Sequence, residues 1–349
     1  MTASIAIGGR EIGSLEPVFI IAEAGVNHNG SLETALQLVD QACNAGADAI
    51  KFQLYRVEEQ VSHVAPSADY QRDRGGSDNM LEMARAYDLP WEDHYAIVER
   101  CQRLGIAYMS SCFDSEAVDL LLDLGADCIK VASGEITNYP LLSHIAATGK
   151  PIVLSTGMST LQDVAGSVDL IQGAGESPIV LLQCVSEYPA RPETINLRSM
   201  VTMGAAFGVP VGYSDHTLGS TVAVAAVALG ACVIEKHFTL DKTLPGPDHA
   251  MSLEPQGLRE FVCAIRTAEA AFGDGIKRPH PSEQTNRVIS RRGLVSVGSI
   301  GAGERIDDSN TTLKRPALGI DPRLLHAVRG RKAAVDIPAD VPITWEMLS

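Results

Sequence analysis

Eight short β-branched runs recur along this chain, each ending in polar residues and separated by amphipathic, Ala- and Leu-rich stretches with glycine turns. They are VFIIAE (18–23), AIKFQ (49–53), AYMSSCF (107–113), CIKVAS (128–133), PIVLST (151–156), IVLLQC (179–184), VPVGYSDH (209–216) and VIEKHF (233–238). Nearly continuous apolar strands alternating with helices predict a parallel sheet covered on both faces. Eight such units predict closure into a (β/α)8 TIM barrel. An open, doubly wound sheet is the alternative, but it usually has fewer strands and often a glycine-rich phosphate loop after the first. Here the first run leads into Glu23 and VNHNG instead. Capping candidates precede three helical stretches: Ser31 before LETALQLVDQACNAG, Ser115 before EAVDLLLDLG, and Ser159 or Thr160 before LQDVAGSVDLIQG.

The rhythm occupies residues 1–272 of 349, close to the roughly 250 residues typical of such a barrel. It breaks at GDGIKRPHPSEQTNRVISRR (273–292), whose charge, Pro and polar content reads as a linker. Residues 293–349 carry short β-like pieces, GLVSVGSI, KAAVDIPAD and PITWEML, punctuated by Gly and Pro. They predict a small β-rich second domain with little core of its own.

Composition narrows the partners. A net charge of −15, from 28 basic and 43 acidic residues, disfavours nucleic acid and anionic membranes. An anionic substrate must therefore be held by local Lys and Arg. The seven cysteines are odd in number, scattered and without a CxxC pair, which predicts buried free thiols in a reducing cytoplasm. MTASIAIGGREIG has no basic segment and no long apolar run, so no signal peptide is expected. The longest apolar stretch, Val222 to Ile234, is broken by Gly230 and too short to span a bilayer.

Isolated charges in apolar strands are costly unless paired or used. In a barrel those at strand ends gather at one mouth, where active sites sit. The runs end in Glu23, in Lys51 and Gln53, in Ser110 and Ser111, in Lys130, Ser133 and Glu135, in Ser155 and Thr156, in Ser186 and Tyr188, in Ser214, Asp215 and His216, and in Glu235, Lys236 and His237. Glu23, Lys51 and Lys130 together favour function over a structural network, whereas Lys236, Glu235 and Asp48 read equally well as structural ion pairs. Lys51, Lys130, Ser133, Ser155 and Ser214 suit a phosphate and a carboxylate, although Ser110 and Ser155 also suit strand-end capping. His216 and His237, on neighbouring strands near Asp215 and Glu235, suit a divalent metal such as Mn²⁺, Zn²⁺ or Fe²⁺. As a pair alone they suit hydrogen-bonded core histidines. NHNG (27–30) and PGPDHAMS (245–252) read as turns or as substrate contacts.

IAEAGVNHNGS, AGADAIKFQ, KVASGE, NYPLL, KPIVLSTGM, GYSDHTLG and EKHFTLD…PGPDHAMS, in that order along the barrel, resemble the bacterial sialic acid synthase family. TLKRPALGI and its flanks resemble that family's C-terminal antifreeze-like (SAF) domain. The resemblance implies condensation of phosphoenolpyruvate with the open-chain aldehyde of a 2-acetamido hexose, N-acetylmannosamine or a relative. The products are a nine-carbon 2-keto acid and phosphate, released by C–O cleavage. It implies a divalent metal on His216 and His237, Mn²⁺ foremost with Mg²⁺ or Co²⁺ as alternatives. Glu23 would serve the water or proton step, Lys51 and Ser111 the carboxylate, and Lys130, Ser133, Ser155 and Ser214 the phosphate. Gln53, Glu135, Tyr188 and Asp248 would contact the sugar, with Ser186 in the same substrate site. Lys51, Lys130 and Glu135 join Glu23 in the catalytic set. Arg315, in LKRP, matches an arginine that reaches the partner subunit's site in the family, implying a domain-swapped homodimer.

Two runs depart from the pattern of many N-acetylneuraminate synthases. Gln183-Cys184-Val185-Ser186-Glu187-Tyr188-Pro189 stands where His-Cys-Thr-Asn precedes Tyr-Pro, and SSCFD stands for a Ser-Thr-Pro-Phe run. The SEYPA form resembles branches that make other nonulosonic acids or spore-coat polysaccharides, so legionaminic-, pseudaminic- or spore-coat-type products are the alternatives. Barrels that condense phosphoenolpyruvate with arabinose or erythrose phosphate lack the SAF tail. A non-catalytic sugar-binding barrel would be expected to lose Glu23, Lys51 or a histidine, and all are present.

Overall fold

The structure is a computed structural model that describes residues 4–66 and 79–349. Contacts divide the chain into two units, Met1–Gly273 and Asp274–Ser349. The first opens with a hairpin, β1 (Ile5–Ile7) and β2 (Arg10–Ile12). The barrel follows: β3 (Phe19–Gly25), β4 (Ala49–Leu54), β5 (Ala107–Cys112), β6 (Ile129–Val131), β7 (Ile152–Ser155), β8 (Ile179–Cys184), β9 (Val211–Asp215) and β10 (Val233–His237). All eight run parallel, and β10 closes on β3 with Val233 opposite Phe19 and His237 opposite Glu23. The eight runs read from the sequence are these eight strands.

Side chains alternate along each strand, and the alternation sorts two cores. Ile20, Ala22, Ile50, Phe52, Val131 and Leu154 face outward and pack with the helices through Leu38, Val39, Ile97 and Leu121. Each fully buried Ile or Leu contributes roughly 1.5–3 kcal/mol. Phe19, Ile21, Ala49, Met109, Val153, Val180 and Val233 face inward near the strand starts, where Ile5, Ile7 and Ile12 of the hairpin join them. The apolar lower half of the barrel is thus filled and plugged. The polar residues are left to the upper half. The hairpin escapes periodicity because its strands are only three residues each.

Local signals explain the helices. Ser31 caps Leu32–Ala45 by accepting from the Thr34 amide at 3.3 Å. Thr160 and Asp163 form a reciprocal capping box on Leu161–Ala174. The helix Ser115–Asp123 is capped by Asp114 and not by Ser115, which is the first helical residue. The Asp114 carboxylate accepts from the Ala117 amide at 2.7 Å, and its charge also favours the positive helix end. Asp48, which read equally well as structural, is structural. At the amino-terminal end of the strands it accepts from Ile20 N and Arg266 Nη2, both at 2.8 Å, and pairs with Arg10.

In the second unit, β11 (Gly293–Ser296) pairs antiparallel with β12 (Thr311–Lys314). KAAVDIPAD and PITWEML form bridges, among them Ile300 with Ile337 and Val295 with Pro342, instead of longer ladders. Leu294, Ile300, Ile306, Ile320, Ile337 and Ile343 make a small buried core of the unit's own. Within the segment read as a linker, Gln284–Ser290 is helical and groups with this unit. All seven cysteines are free thiols. Five are buried, while Cys43 is half-buried and Cys263 exposed. Among the described residues no helix is long and apolar enough to cross a membrane.

Candidate active site

The inward residues of the upper barrel surround a cavity of about 610 Å³. Glu23, Lys51, Gln53, Ser111, Lys130, Ser133, Ser155, Ser186, Tyr188, Ser214, His216, His237 and Asp248 all line it. Glu135 does not line it. It ends the short turn Ser133–Glu135 and accepts from Asn138 Nδ2 at 2.7 Å, a bond that steadies the cap of the next helix. Arg315 belongs to the other unit, where it is exposed just after β12.

Four buried charges form the floor. Lys51 Nζ lies 2.7 Å from Glu23 Oε2 and 3.8 Å from Glu235 Oε2, and donates to Ser111 Oγ at 3.0 Å. Lys130 Nζ lies 4.0 Å from Glu235 Oε2 and donates to Ser155 Oγ and Val131 O at 2.7 and 2.8 Å. Ser214 Oγ donates to Glu235 Oε1 at 3.0 Å. Glu235 therefore joins the site between two lysines, although the sequence left its role open. Glu23 Oε2 and Glu235 Oε2 are buried without an aligned hydrogen-bond donor. Two lysines, each paired with a serine, next to under-satisfied carboxylate oxygens form a polar cluster ready to reorganise around an entering anion.

The charges shift one another. Burial, with Glu235 adding to it, raises Glu23 to about 7 against the pull of Lys51. Burial lowers the Lys130 ammonium below its ordinary range. Lys51 is also buried, but Glu23 and Glu235 outweigh that and raise it. Glu235 would rise by burial, yet Lys130 and Lys51 hold it low. Of the two carboxyls, Glu235 stays ionised and Glu23 is poised near neutrality, the pattern that separates a charge holder from a proton handler.

Two glycines allow the side chains to converge. Gly25, at φ 54°, ends β3 in the left-handed region. A Cβ there would come within 3.3 Å of Glu23 Oε1 and 3.6 Å of both Asp248 Oδ2 and Gln53 Nε2. Gly157 donates its amide to Ser133 Oγ at 2.9 Å, and a Cβ on it would strike Ser186 Oγ at 2.5 Å and Ser133 Oγ at 2.8 Å. NHNG is structural. Asn27 donates to Phe238 O at 2.9 Å, and Asn29 bonds Pro245 O and His249, both at 3.0 Å. These bonds hold the loop that presents Asp248.

His216 follows β9 and His237 ends β10, with ring centroids 5.3 Å apart and the Tyr188 ring 4.2 Å from that of His216. His216 Nδ1 lies 2.7 Å from Val185 O, and a carbonyl can only accept, so Nδ1 carries the proton and Nε2 is left as a lone-pair donor. His237 Nδ1 is buried without a hydrogen-bond partner, 3.8 Å from Asp248 Oδ2. Burial and the nearby His216, Lys51 and Lys236 drive His237 well below the usual imidazole range, keeping it neutral. For His216 burial works the same way, but the Cys184 sulfur, 3.9 Å off, outweighs it and raises the imidazole. An orphaned neutral imidazole beside a second one with an available Nε2 fits a divalent ion. Among the described residues no group of three His, Cys, Asp or Glu encloses an ion position. An ion held here would complete its shell with water or substrate oxygens. Asp215, which the sequence grouped with this pair, points away. Neighbours on a strand face opposite sides, and Asp215 is bound to Lys236 and Thr217 on the outer face.

One wall went unread in the sequence. Val61, Met80, Met83, Ala84 and Tyr87 line the cavity from the β4–β5 connection, with Phe113 and Met158 beyond. Met80, Met83, Ala84 and Tyr87 have the i, i+3, i+4, i+7 spacing of one helical face, a signal that was present.

A closed parallel barrel with a polar carboxyl-terminal mouth, two serine-paired lysines and a histidine pair defines an enzyme of the (β/α)8 class. Residues 38–277 match the NeuB family and residues 291–349 the SAF domain, and the chain belongs to the NeuB family. It is a phosphoenolpyruvate-dependent condensing enzyme of the sialic acid synthase type. It is 42% identical over 344 residues to N,N'-diacetyllegionaminic acid synthase of Legionella pneumophila, covering 97% of each chain. It is 43% identical over 329 residues to the Campylobacter jejuni enzyme of the same name, covering 93% of this chain and 98% of that one. The crystal structure of N-acetylneuraminic acid synthetase from Leptospira borgpetersenii, in complex with citrate, superposes with a TM-score of 0.74 at 34% identity, over 82% of this chain and 95% of that one.

Proposed function

We propose that this chain condenses phosphoenolpyruvate with the open-chain aldehyde of a 2-acetamido hexose in the cytoplasm, giving a nine-carbon 2-keto acid and phosphate. The observation that carries the reading is the placement of Lys51–Ser111 and Lys130–Ser155 around Glu235, in one cavity with the two histidines. Lys51 and Ser111 hold the carboxylate of phosphoenolpyruvate. Lys130, Ser133, Ser155 and Ser214 hold its phosphate. Gln53, Tyr188 and Asp248 orient the sugar. His216 and His237 would hold a divalent ion, Mn²⁺ foremost with Mg²⁺ or Co²⁺ as substitutes, and such an ion polarises an aldehyde carbonyl. The C3 electron pair of phosphoenolpyruvate forms the new bond to the aldehyde carbon, and the aldehyde oxygen takes up a proton. Water adds at C2 and gives its proton to Glu23. The C2–O bond then breaks, the remaining C2 hydroxyl proton leaves with the phosphate and the ketone forms, while the proton taken by Glu23 makes good the one taken up by the aldehyde oxygen.

The apolar wall supports a second reading of the sugar. Hydroxyls buried against Val61, Met80, Met83 and Ala84 would lose water, with Gln60 and Tyr87 the polar side chains on that wall. Acetamido methyl and deoxy carbons would gain. This is consistent with a deoxygenated, doubly acylated sugar of the legionaminic type as the alternative to N-acetylmannosamine, with pseudaminic- and spore-coat-type sugars as further comparisons. Arg315 is exposed on the second unit, which supports its action across a domain-swapped homodimer. The test is phosphate release from phosphoenolpyruvate and Mn²⁺ across a panel of 2-acetamido and 2,4-diacetamido sugars. The deoxygenated sugars are expected to give the highest kcat/KM, and Arg315→Ala to raise the sugar KM far more than that for phosphoenolpyruvate. No turnover with any sugar by metal-replete protein would remove the synthase reading. Equal KM effects would remove the cross-subunit role.

A further inference from the structure

Lys236 and Asp215 stand directly opposite each other on β10 and β9, and each is 1% exposed. They face outward, where Phe238 and Phe261 are apolar neighbours and the Tyr213 phenol stands beside Asp215. A buried pair of this kind adds little stability over apolar residues of the same volume, so its bonding pattern is the informative feature. Lys236 Nζ donates to Asp215 Oδ2 at 2.9 Å and also to Thr217 O. Asp215 Oδ1 accepts from Thr217 N at 2.8 Å and from Thr217 Oγ1 at 2.7 Å. Every one of these bonds ties the two charges to each other or to the residue after His216. The β9–β10 ladder itself ends at Asp215, so His216 lies just beyond it. The alternation also places Asp215 between the inward Ser214 and His216, and Lys236 between the inward Glu235 and His237.

We propose that the Lys236–Asp215–Thr217 clamp on the outer face of the barrel is a positioning device that sets the spacing of His216 and His237 inside it. The inference rests on the reading of those histidines as metal ligands. Residues that orient metal-binding side chains typically cost roughly 10–100-fold in metal affinity when replaced. The clamp therefore predicts a loss specific to the metal. The anion pocket hangs on Lys51 and Lys130, whose strands β4 and β6 the clamp does not touch.

The experiment titrates Mn²⁺ into substrate-free protein by electron paramagnetic resonance and phosphoenolpyruvate into metal-free protein by calorimetry. The proteins are wild type, Lys236→Met, Asp215→Asn/Lys236→Met and Thr217→Val. Thr217→Val leaves no buried charge unpaired and so remains informative if Lys236→Met does not fold. About tenfold or greater weakening of Mn²⁺ in the Lys236 variants is expected, with a smaller loss in Thr217→Val and phosphoenolpyruvate affinity unchanged. The neutral double variant should recover melting temperature without recovering Mn²⁺ affinity, a split that a purely structural pair would not give. Wild type that binds Mn²⁺ with folded variants that bind it equally well overturns the clamp alone, as does equal weakening of both ligands. Wild type that binds no Mn²⁺ overturns the metal reading and the clamp with it.

Discussion

Glu23→Gln is expected to lower kcat by about 10²- to 10⁴-fold, the range general acid–base groups contribute, with phosphoenolpyruvate binding kept. Glu23 is fully buried, 2.7 Å from Lys51 Nζ, and poised at about 7 because burial opposes its charge. Gln retains the shape but could not take the water proton that the proposed step assigns to Glu23. The same assignment fixes the sign of the pH dependence. In the proposed step the ionised carboxylate is the working form, so kcat/KM for phosphoenolpyruvate should climb about tenfold per pH unit below the Glu23 pKa of about 7 and level off above it. That limb should vanish in Glu23→Gln. A variant that keeps both the rate and the limb would show that Glu23 is a spectator of the lysine cluster.

His237→Ala should remove turnover by at least about 10³-fold, since metal polarisation of a carbonyl supplies several kcal/mol and each 1.4 kcal/mol is tenfold. The chain should remain folded. His237 Nδ1 is buried without a hydrogen-bond partner, so truncation removes a desolvated polar atom as well as packing volume. Circular dichroism and the melting curve check the fold, and Mn²⁺ titration should show at least tenfold weaker binding. Unchanged turnover in the folded variant would exclude a metal role for the pair.

The place of these two residues at the barrel mouth was legible in the sequence, because a charge or an imidazole at the end of an apolar strand has few inexpensive explanations. The barrel was legible for a related reason. Continuous apolar runs such as IVLLQC cannot face water and need cover on both faces, and eight of them without a glycine-rich loop after the first favour a barrel over an open sheet. Glu235 shows where reading stopped short. It lies two residues before His237 and so shares its inward face, whereas Lys236 between them must face outward with Asp215. Grouping by neighbourhood put Asp215 with the histidines, and grouping by alternation puts it behind them. Asp114 took the cap assigned to Ser115 because a carboxylate one position earlier reaches the Ala117 amide. The Ile5–Ile12 hairpin has no readable period at three residues per strand. The apolar wall on Met80–Ala86 had one, but its helix lies inside the long β4–β5 connection, away from the strand ends that drew attention.

The central claim is that phosphate leaves this site by cleavage at carbon, after water has entered at C2 beside Glu23. Phosphoenolpyruvate with isotopically heavy oxygen in the bridge between C2 and phosphorus tests it directly by mass spectrometry of the products. The account predicts that the heavy atom departs with the phosphate and that the C2 oxygen of the keto acid comes from solvent. Retention of the heavy atom in the keto acid would mean attack at phosphorus, and it would contradict the assignment of Glu23 and of the lysine pocket around it.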